Sequence, residues 1–353
     1  MATAKYLLTS IAAALLLLLP PTDAAAFRRR PTAVFAFGDS ILDAGNNNFF
    51  PTLFRSNHRP YGVDFPGGVA TGRFSDGKLA TDVVVSALGI KELLPAYLDP
   101  VLTDPGLLTG ASFASAGSGL DDLTARQANV LTMGRQLAYF QEALGRMRRA
   151  AGGLAAGRAV ENGLFMVAAG SNDVMFGLLL RRNCSVPEYH DLMLGNLEVF
   201  IKKLVNMGAQ KFAVLGLPPI GCLPLQMGLA GHRASRTCVA RQNIDAQSYN
   251  TKLQALILRL QISLPLGSKL AYVDIYTPLI NTILSPSAYG FERAMEGCCG
   301  SGYLEMGPLC NALSAVCPNP SNYVFWDAVH PTHKTYAILA ANFLHNVLPT
   351  LYY

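Results

Sequence analysis

A serine at position 40 directly follows a short apolar run that has the composition of a β-strand. Residues 33–37 read Ala-Val-Phe-Ala-Phe, and Gly38, Asp39 and Ser40 come next. A serine presented where a strand passes into a turn is well placed to act as a nucleophile. No Gly-x-Ser-x-Gly sequence occurs in the chain, and Gly-Asp-Ser alone is also a common turn or helix cap. Ser40 is therefore a candidate nucleophile that needs partners.

Those partners are available near the C-terminus, where Asp327 and His330 are three positions apart. A serine hydroxyl needs a base to take its proton, and the base needs a carboxylate that fixes its tautomer. On a loop leading into a helix, Asp-x-x-His lets the carboxylate reach one ring nitrogen while the other faces outward. The alternative is a surface acid and a histidine near a helix start, and the spacing alone leaves that alternative open.

Attack on a carbonyl also needs N–H donors for the developing oxyanion. Residues 110–119 form a small-residue stretch in which Gly117 can bring a backbone N–H close to a substrate. Asn172 follows a strand-like run that ends near Ala169, and its side-chain amide is a second candidate donor. A flexible loop and an Asx turn are the alternatives for these two stretches.

These residues have to be positioned by an alternation of short β-rich runs with longer segments of helical periodicity. Such alternation predicts a parallel sheet covered by helices, with ligands bound beyond the carboxyl ends of the strands. The predicted strands are residues 33–37, 164–168, 212–215 and 270–274. The predicted helices are residues 78–88, 133–149, 192–207, 243–261 and 333–347.

The first 26 residues have the layout of a secretory signal peptide. Lys5 precedes an apolar run over 6–19, and Ala24 and Ala26 favour cleavage before Phe27. The run is short for a bilayer span, so we expect no stable membrane span; a signal anchor is the less favoured alternative. No linker or repeat divides residues 27–353, which predicts one domain.

Composition argues against a nucleic-acid partner. The net charge is +5, but the basic residues are scattered, with local clusters only at 28–30, 146–149 and 181–182. Few aromatic residues lie among these bases, and no binding module is recognisable. A cationic surface also suits an acidic extracellular matrix.

All seven cysteines lie in the C-terminal half, where an oxidising compartment would favour disulfides. Their spacing does not match a zinc site, so we expect no metal. Short separations suggest the local pairs Cys222 with Cys238 and Cys310 with Cys317, although sequence does not fix connectivity. Asn183 begins an Asn-Cys-Ser sequon that can carry a glycan.

Taken in order, these segments resemble the plant-type GDSL esterase/lipase family, also called SGNH hydrolases. The resemblance spans essentially all of residues 27–353. Beside Ser40, Asp327 and His330, it rests on matching blocks at 43–48, 60–62, 72–77, 113–119, 170–173, 217–222, 298–300, 323–327 and 330–332.

The resemblance implies a three-layer α/β/α flavodoxin-like fold with a central parallel sheet, and ester hydrolysis without metal or organic cofactor. In the family the serine is the nucleophile and also lends its backbone N–H to the oxyanion. Carried over, the nucleophile role falls on Ser40, the remaining oxyanion donors on Gly117 and Asn172, and the charge relay on Asp327 and His330.

Two positions depart from the family pattern without replacing any of these groups. Ser112 stands where asparagine is frequent, and His333 stands where an acid is frequent. Either exchange changes the local hydrogen bonding rather than the chemistry.

The sequence therefore predicts a secreted, glycosylated serine esterase or lipase of the cell wall or apoplast that degrades lipid or other esters. Its expected substrates are esters of acyl lipids or of acylated wall polymers such as cutin-like or acetylated polysaccharide. Two alternatives remain: an extracellular acyltransferase that uses the same residues, and a secreted binding protein without turnover.

Overall fold

The computed structural model describes residues 30–181 and 183–352. The predicted signal peptide and its cleavage site before Phe27 lie outside the described residues. Within those residues no helix is both long enough and apolar enough to cross a membrane.

Strands and helices alternate along most of the described chain. The strands are β1 (Val34–Gly38), β2 (Gly110–Ser112), β3 (Leu164–Ala168), β4 (Lys211–Leu215), β5 (Lys269–Val273), β6 (Arg293–Gly297) and β7 (Tyr323–Phe325). The helices are α1 (Ala80–Ala87), α2 (Asp122–Gln127), α3 (Met133–Glu161), α4 (Ser171–Met175), α5 (Val186–Asn206), α6 (Pro224–Leu229), α7 (Ala240–Ser263), α8 (Tyr276–Leu284), α9 (His333–Asn342) and α10 (Leu348–Tyr352). A π-helical segment, Phe343–Val347, joins α9 to α10.

Five strands form one parallel sheet in the order β2-β1-β3-β4-β5. In the β1–β3 pair, Gly38 lies opposite Ala168, so both strands end at the same edge. The order is the flavodoxin-like one, whose switch point between β1 and β3 opens a crevice at the carboxyl ends of the strands. The predicted parallel sheet is confirmed.

The two faces of the sheet bury different side chains, as strand alternation requires. Phe35 and Phe165 point to the face covered by α3, α5 and α7, where Phe140 completes a cluster of aromatic rings. Ala36 and Met166 point to the opposite face, which α1, α9 and α10 cover. Helices therefore cover both faces, and the predicted three-layer α/β/α fold is confirmed.

The described residues contain three disulfides, two of which differ from the pairing suggested by spacing. The bridge Cys222–Cys238 is confirmed. The pairing of Cys310 with Cys317 is wrong. The bonds are Cys298–Cys317 and Cys299–Cys310, because the Cys317 N–H donates to the Cys298 carbonyl at 2.9 Å and holds those two residues side by side.

Several elements differ from their predicted bounds; for example, α5 begins at Val186, six residues before the predicted start. Helix α3 continues past residue 149 to Glu161, and Gly152 absorbs the break with a φ of 81°. The stretch predicted as a loop begins with the strand β2, which is too short to leave a periodic pattern. The C-terminal helix continues beyond 347 as α10.

Candidate active site

Ser40 lies two residues beyond β1, in a turn at the carboxyl edge of the sheet. The turn starts at Gly38, whose φ is 133° and where a Cβ would lie 1.7 Å from the Ala168 oxygen. Only glycine fits there. The Asp39 N–H donates to the same oxygen at 3.0 Å. These contacts fix the turn against β3 and leave Ser40 8% exposed at the sheet edge.

His330 and Asp327 lie within hydrogen-bond reach of this serine. The distance from His330 Nε2 to Ser40 Oγ is 2.8 Å. On the other side of the ring, Nδ1 lies 2.7 Å from Asp327 Oδ2. Asp327 is fully buried and His330 nearly so. The structure thus brings three sequence-predicted residues into one chain of hydrogen bonds with the geometry required for proton transfer from a serine.

The carboxylate of Asp327 is held by three further donors. Its Oδ1 accepts the backbone N–H groups of Val329 at 2.8 Å and His330 at 2.7 Å. Its Oδ2 accepts the phenol of Tyr61 at 2.7 Å. With every lone pair directed at a donor, the carboxylate is fixed in position opposite the imidazole.

Tyr61 is a site residue that sequence reasoning identified only as part of a family block. Burial and the neighbouring Asp327 carboxylate raise the pKa of Tyr61 well above its usual value, so the phenol stays protonated and donates. Its oxygen in turn accepts the Gly307 N–H at 2.7 Å. The ring packs edge-on against Phe74 and Trp326. No spacing rule links Tyr61 to a residue 266 positions away.

Gly117 lies in the loop after β2, which a set of buried side chains clamps against the serine turn. Asp43 Oδ2 accepts the Ala116 N–H at 2.9 Å, and Asn47 Nδ2 donates to the Ala116 carbonyl at 2.9 Å. Asn46 Nδ2 donates to two further carbonyls of the same segment. These contacts explain the block at 43–48: it positions the loop that carries Gly117.

Asn172 is the second residue of α4, directly after β3, and is 8% exposed. Its Nδ2 donates to the Ser118 carbonyl at 2.9 Å. That bond uses one amide hydrogen and orients the group, while the second hydrogen remains for a ligand. Ser40, Gly117, Asn172 and His330 all line one cavity, so the structure brings the predicted oxyanion donors to the serine.

Gln136 on α3 is a supporting residue that the sequence analysis missed. Its side chain accepts the Gly38 N–H at 2.8 Å and donates to the Gly38 carbonyl at 2.9 Å. It also donates to Ser118 Oγ at 3.2 Å. The sequence of an amphipathic helix does not indicate that one of its buried glutamines bonds to the end of β1.

The two departures from the family pattern both make hydrogen bonds near the site. Ser112 Oγ donates to the Leu42 carbonyl at 2.6 Å and joins β2 to the segment after Ser40. The His333 N–H donates to Asp76 Oδ1 at 2.7 Å, and its ring bonds to the Lys78 carbonyl. Both exchanges therefore leave the predicted site residues in place.

Within the described residues, two cavities meet at Ser40. The inner cavity, about 70 Å³, lies between the sheet edge, α1 and α9, and its lining includes Val84, Met166, Val273, Leu339 and Phe343. The outer cavity, about 210 Å³, is lined by Gly117, His330, Phe54, Met306 and Leu309, among others. Ser40, Asn172, Met175 and Val329 line both.

Asp39, beside the serine, faces the inner cavity and is buried. Burial raises its pKa to about 7, and the single backbone N–H it accepts, from Ile41, only partly offsets that effect. The electrostatics next to Ser40 therefore change around neutral pH.

Asn183 is exposed in a turn before α5 and lines neither cavity. Its neighbour Ser185 caps α5 by accepting the Glu188 N–H. The structure describes no group of three or more His, Cys, Asp or Glu side chains that could hold a metal ion.

Comparison with known proteins places this geometry in a family. A profile described as GDSL-like lipase/acylhydrolase matches residues 34–343. The GDSL esterase/lipase At2g40250 of Arabidopsis thaliana is 48% identical over 328 residues, covering 91% of both chains. Two others from that plant, At1g06990 and At5g45960, are 40% identical over 324 residues (90% of each chain) and 44% identical over 312 residues (86% of this chain, 83% of the relative). The chain therefore belongs to the GDSL-like lipase/acylhydrolase family and is an enzyme that hydrolyses esters.

Proposed function

We propose that Ser40 is the nucleophile of a two-step hydrolysis of carboxylic esters, with His330 as general base and Asp327 as its partner. The observation that carries the proposal is the continuous hydrogen-bond chain from Ser40 Oγ through His330 to Asp327. If Ser40 were only part of a turn or cap, and Asp327 and His330 only a surface pair, such a hydrogen-bond chain would not be expected at the switch point of the sheet.

In the first step the Ser40 oxygen bonds to the ester carbonyl carbon, and its proton passes to His330 Nε2. The electron pair of the carbonyl moves to oxygen, where the backbone N–H groups of Ser40 and Gly117 and the amide of Asn172 donate to it. The tetrahedral adduct then breaks its carbon–alkoxy bond, and His330 returns the proton to the leaving alkoxide. An acyl-enzyme remains on Ser40.

In the second step water gives a proton to His330 Nε2 and attacks the acyl carbon. Collapse of that adduct breaks the bond to Ser40, which takes the proton back, and the carboxylic acid leaves. Asp327 stabilises the imidazolium that forms twice per cycle. No step needs a cofactor, because proton transfer and oxyanion stabilisation come from these side chains and backbone N–H groups.

We further propose that the enzyme is secreted to the cell wall or apoplast as a single domain of residues 27–353, with a glycan on Asn183. The apolar N-terminal run supports export. Three disulfides within the described residues fit an oxidising compartment, and the exposure of Asn183 fits a glycan. Esters of acyl lipids or acylated wall polymers are the substrates expected there.

The test is turnover of p-nitrophenyl butyrate by the purified secreted chain and by Ser40→Ala. Loss of the nucleophile should lower kcat by at least about 10³-fold. Ser235→Ala is the matched control, because Ser235 lies exposed in a loop remote in sequence from every proposed group. Equal turnover by wild type and Ser40→Ala would overturn the assignment of the nucleophile.

A further inference from the structure

Ser40 lies where the inner and outer cavities meet, and the reaction itself does not say which part of an ester enters which cavity. We infer that the acyl chain enters the inner cavity and the alcohol group the outer cavity, so the enzyme selects esters of apolar acids. The inference rests on the proposed function and adds the orientation of its substrate.

The position of His330 fixes this orientation. The leaving alkoxide must take its proton from His330 Nε2, so the alcohol oxygen has to lie on the histidine side of Ser40. His330 lines the outer cavity and does not line the inner one. The acyl carbon bonded to Ser40 then points its chain away from the imidazole, which leads into the inner cavity.

The inner walls match a hydrocarbon chain. They come from Met166 in the middle of β3 and Val273 at the end of β5, from Val84 on α1, and from Leu339 and Phe343 at the C-terminal helices. The polar lining residues are Asp39, Ser40, Ser171, Asn172 and Tyr336. A sugar would leave most of its hydroxyl groups without partners in such a cavity, whereas each buried methylene improves binding about fourfold.

The outer cavity has the character expected for an alcohol site. Leu53 and Leu309 on its wall are 78% and 60% exposed, so it opens to solvent. A large alcohol group, such as a glyceride or a polymer chain, can therefore extend out of the protein while its ester bond lies at Ser40. The inner cavity, enclosed by buried side chains, limits the acyl group instead.

The experiment measures kcat/KM for p-nitrophenyl acetate, butyrate and octanoate with wild type and with variants that fill one cavity at a time. Ala340→Leu and Ala80→Leu each enlarge a side chain on the inner wall, from α9 and α1. Leu309→Phe enlarges the outer wall. Ile262→Phe, on an exposed position of α7, is the surface control. Two inner variants are used because overpacking destabilises some sites more than others.

In wild type we expect kcat/KM to rise with acyl length, and the inner variants to lower the octanoate-to-acetate ratio at least about tenfold. Leu309→Phe should leave that ratio unchanged and alter the preference between ethyl and naphthyl butyrate. A ratio that changes with Leu309→Phe and not with the inner variants would reverse the orientation. If the octanoate-to-acetate ratio is unchanged in every folded variant, the assignment of both subsites is contradicted. Failure of wild type to hydrolyse any of the esters would instead count against the proposed function.

Discussion

The candidate site residues of this enzyme differ in whether the sequence alone identifies them. Ser40, Asp327 and His330 were identifiable because a nucleophile, a base and an acid are chemically distinctive. Gly117 was identifiable as a glycine in a small-residue stretch, and Asn172 because it follows a strand-like run. Their approach to one another depends on the sheet, and the family resemblance supplied that information.

Tyr61 and Gln136 belong to a second group, whose contacts the residue type does not reveal. Each acts by a hydrogen bond to a partner distant along the chain, Asp327 for Tyr61 and Gly38 for Gln136. A tyrosine or glutamine can form such a bond anywhere, so residue type carries no signal. Only the folded structure shows that they bond to Asp327 and to the start of the serine turn.

Tyr61→Phe tests whether the phenol positions Asp327 for catalysis. Without it, Oδ2 loses a charge-assisted donor worth about 1.5–3 kcal/mol. We expect kcat to fall about tenfold while KM changes little, since the phenol lines neither cavity. Steady-state kinetics on one ester measure both constants. Tyr289→Phe, on the surface, is the control. A normal kcat in Tyr61→Phe would contradict a role of the phenol in positioning Asp327.

At the scale of elements, strands and helices were predicted where periodicity or apolar composition persisted. The predicted strand 164–168 matches β3, and the helix over 243–261 lies within α7. Prediction failed where the signal was short or interrupted: β2 has only three residues and begins the small-residue stretch at Gly110, and Gly152 breaks the pattern of α3 without ending it. β2 is a strand because it pairs with β1. Sequence rules that consider only neighbouring residues do not detect that pairing.

The segment between Cys299 and Cys310 gives a prediction at the element scale. This bridge closes the segment that carries Met306 and Leu309 to the outer cavity and Gly307 to the Tyr61 phenol. The double substitution Cys299→Ser with Cys310→Ser should lower the free energy of unfolding by about 3 kcal/mol.

Thermal unfolding followed by circular dichroism measures that loss as a fall in Tm of several degrees. Cys184→Ser is the matched control, because Cys184 lies outside the three described bridges and should leave Tm unchanged. If the double variant and the control melt together, the bridge does not stabilise this part of the enzyme.

At the scale of the whole molecule, one sheet edge brings together the groups of the proposed reaction. Residues after β1, β2 and β3 include the proposed nucleophile and oxyanion donors, and the segment after β7 carries the proposed base and its carboxylate partner. The flavodoxin-like class was predictable from the alternation of elements and the family blocks. The two cavities at Ser40 were not, because their shape depends on packing between distant helices.

Buried carboxyl groups make the stability of the molecule depend on pH. Burial raises the pKa of Asp39 from 3.8 to about 7, and those of Asp43, Asp76 and Asp173 to about 6. Between the unfolded and folded values, the folded chain holds protons that the unfolded chain has released. The free energy of unfolding therefore falls as pH rises through that window.

We accordingly expect Tm to fall from about pH 4 to about pH 7, and to fall less in Asp39→Asn, which removes one of these titrating carboxyl groups. Glu92→Gln, at an exposed position, should keep the slope of the wild type. Scanning calorimetry across this range measures both slopes. Identical slopes for Asp39→Asn and wild type would contradict a raised pKa for Asp39.

The most direct measurement is mass spectrometry of the secreted enzyme after reaction with a fluorophosphonate, a probe that bonds to activated serines. The proposed chain from Ser40 through His330 to Asp327 predicts one adduct, on the peptide that contains Ser40. It predicts no adduct in Ser40→Ala and a much slower reaction in folded His330→Ala. An adduct on another serine, or none in folded wild-type enzyme, would contradict the account.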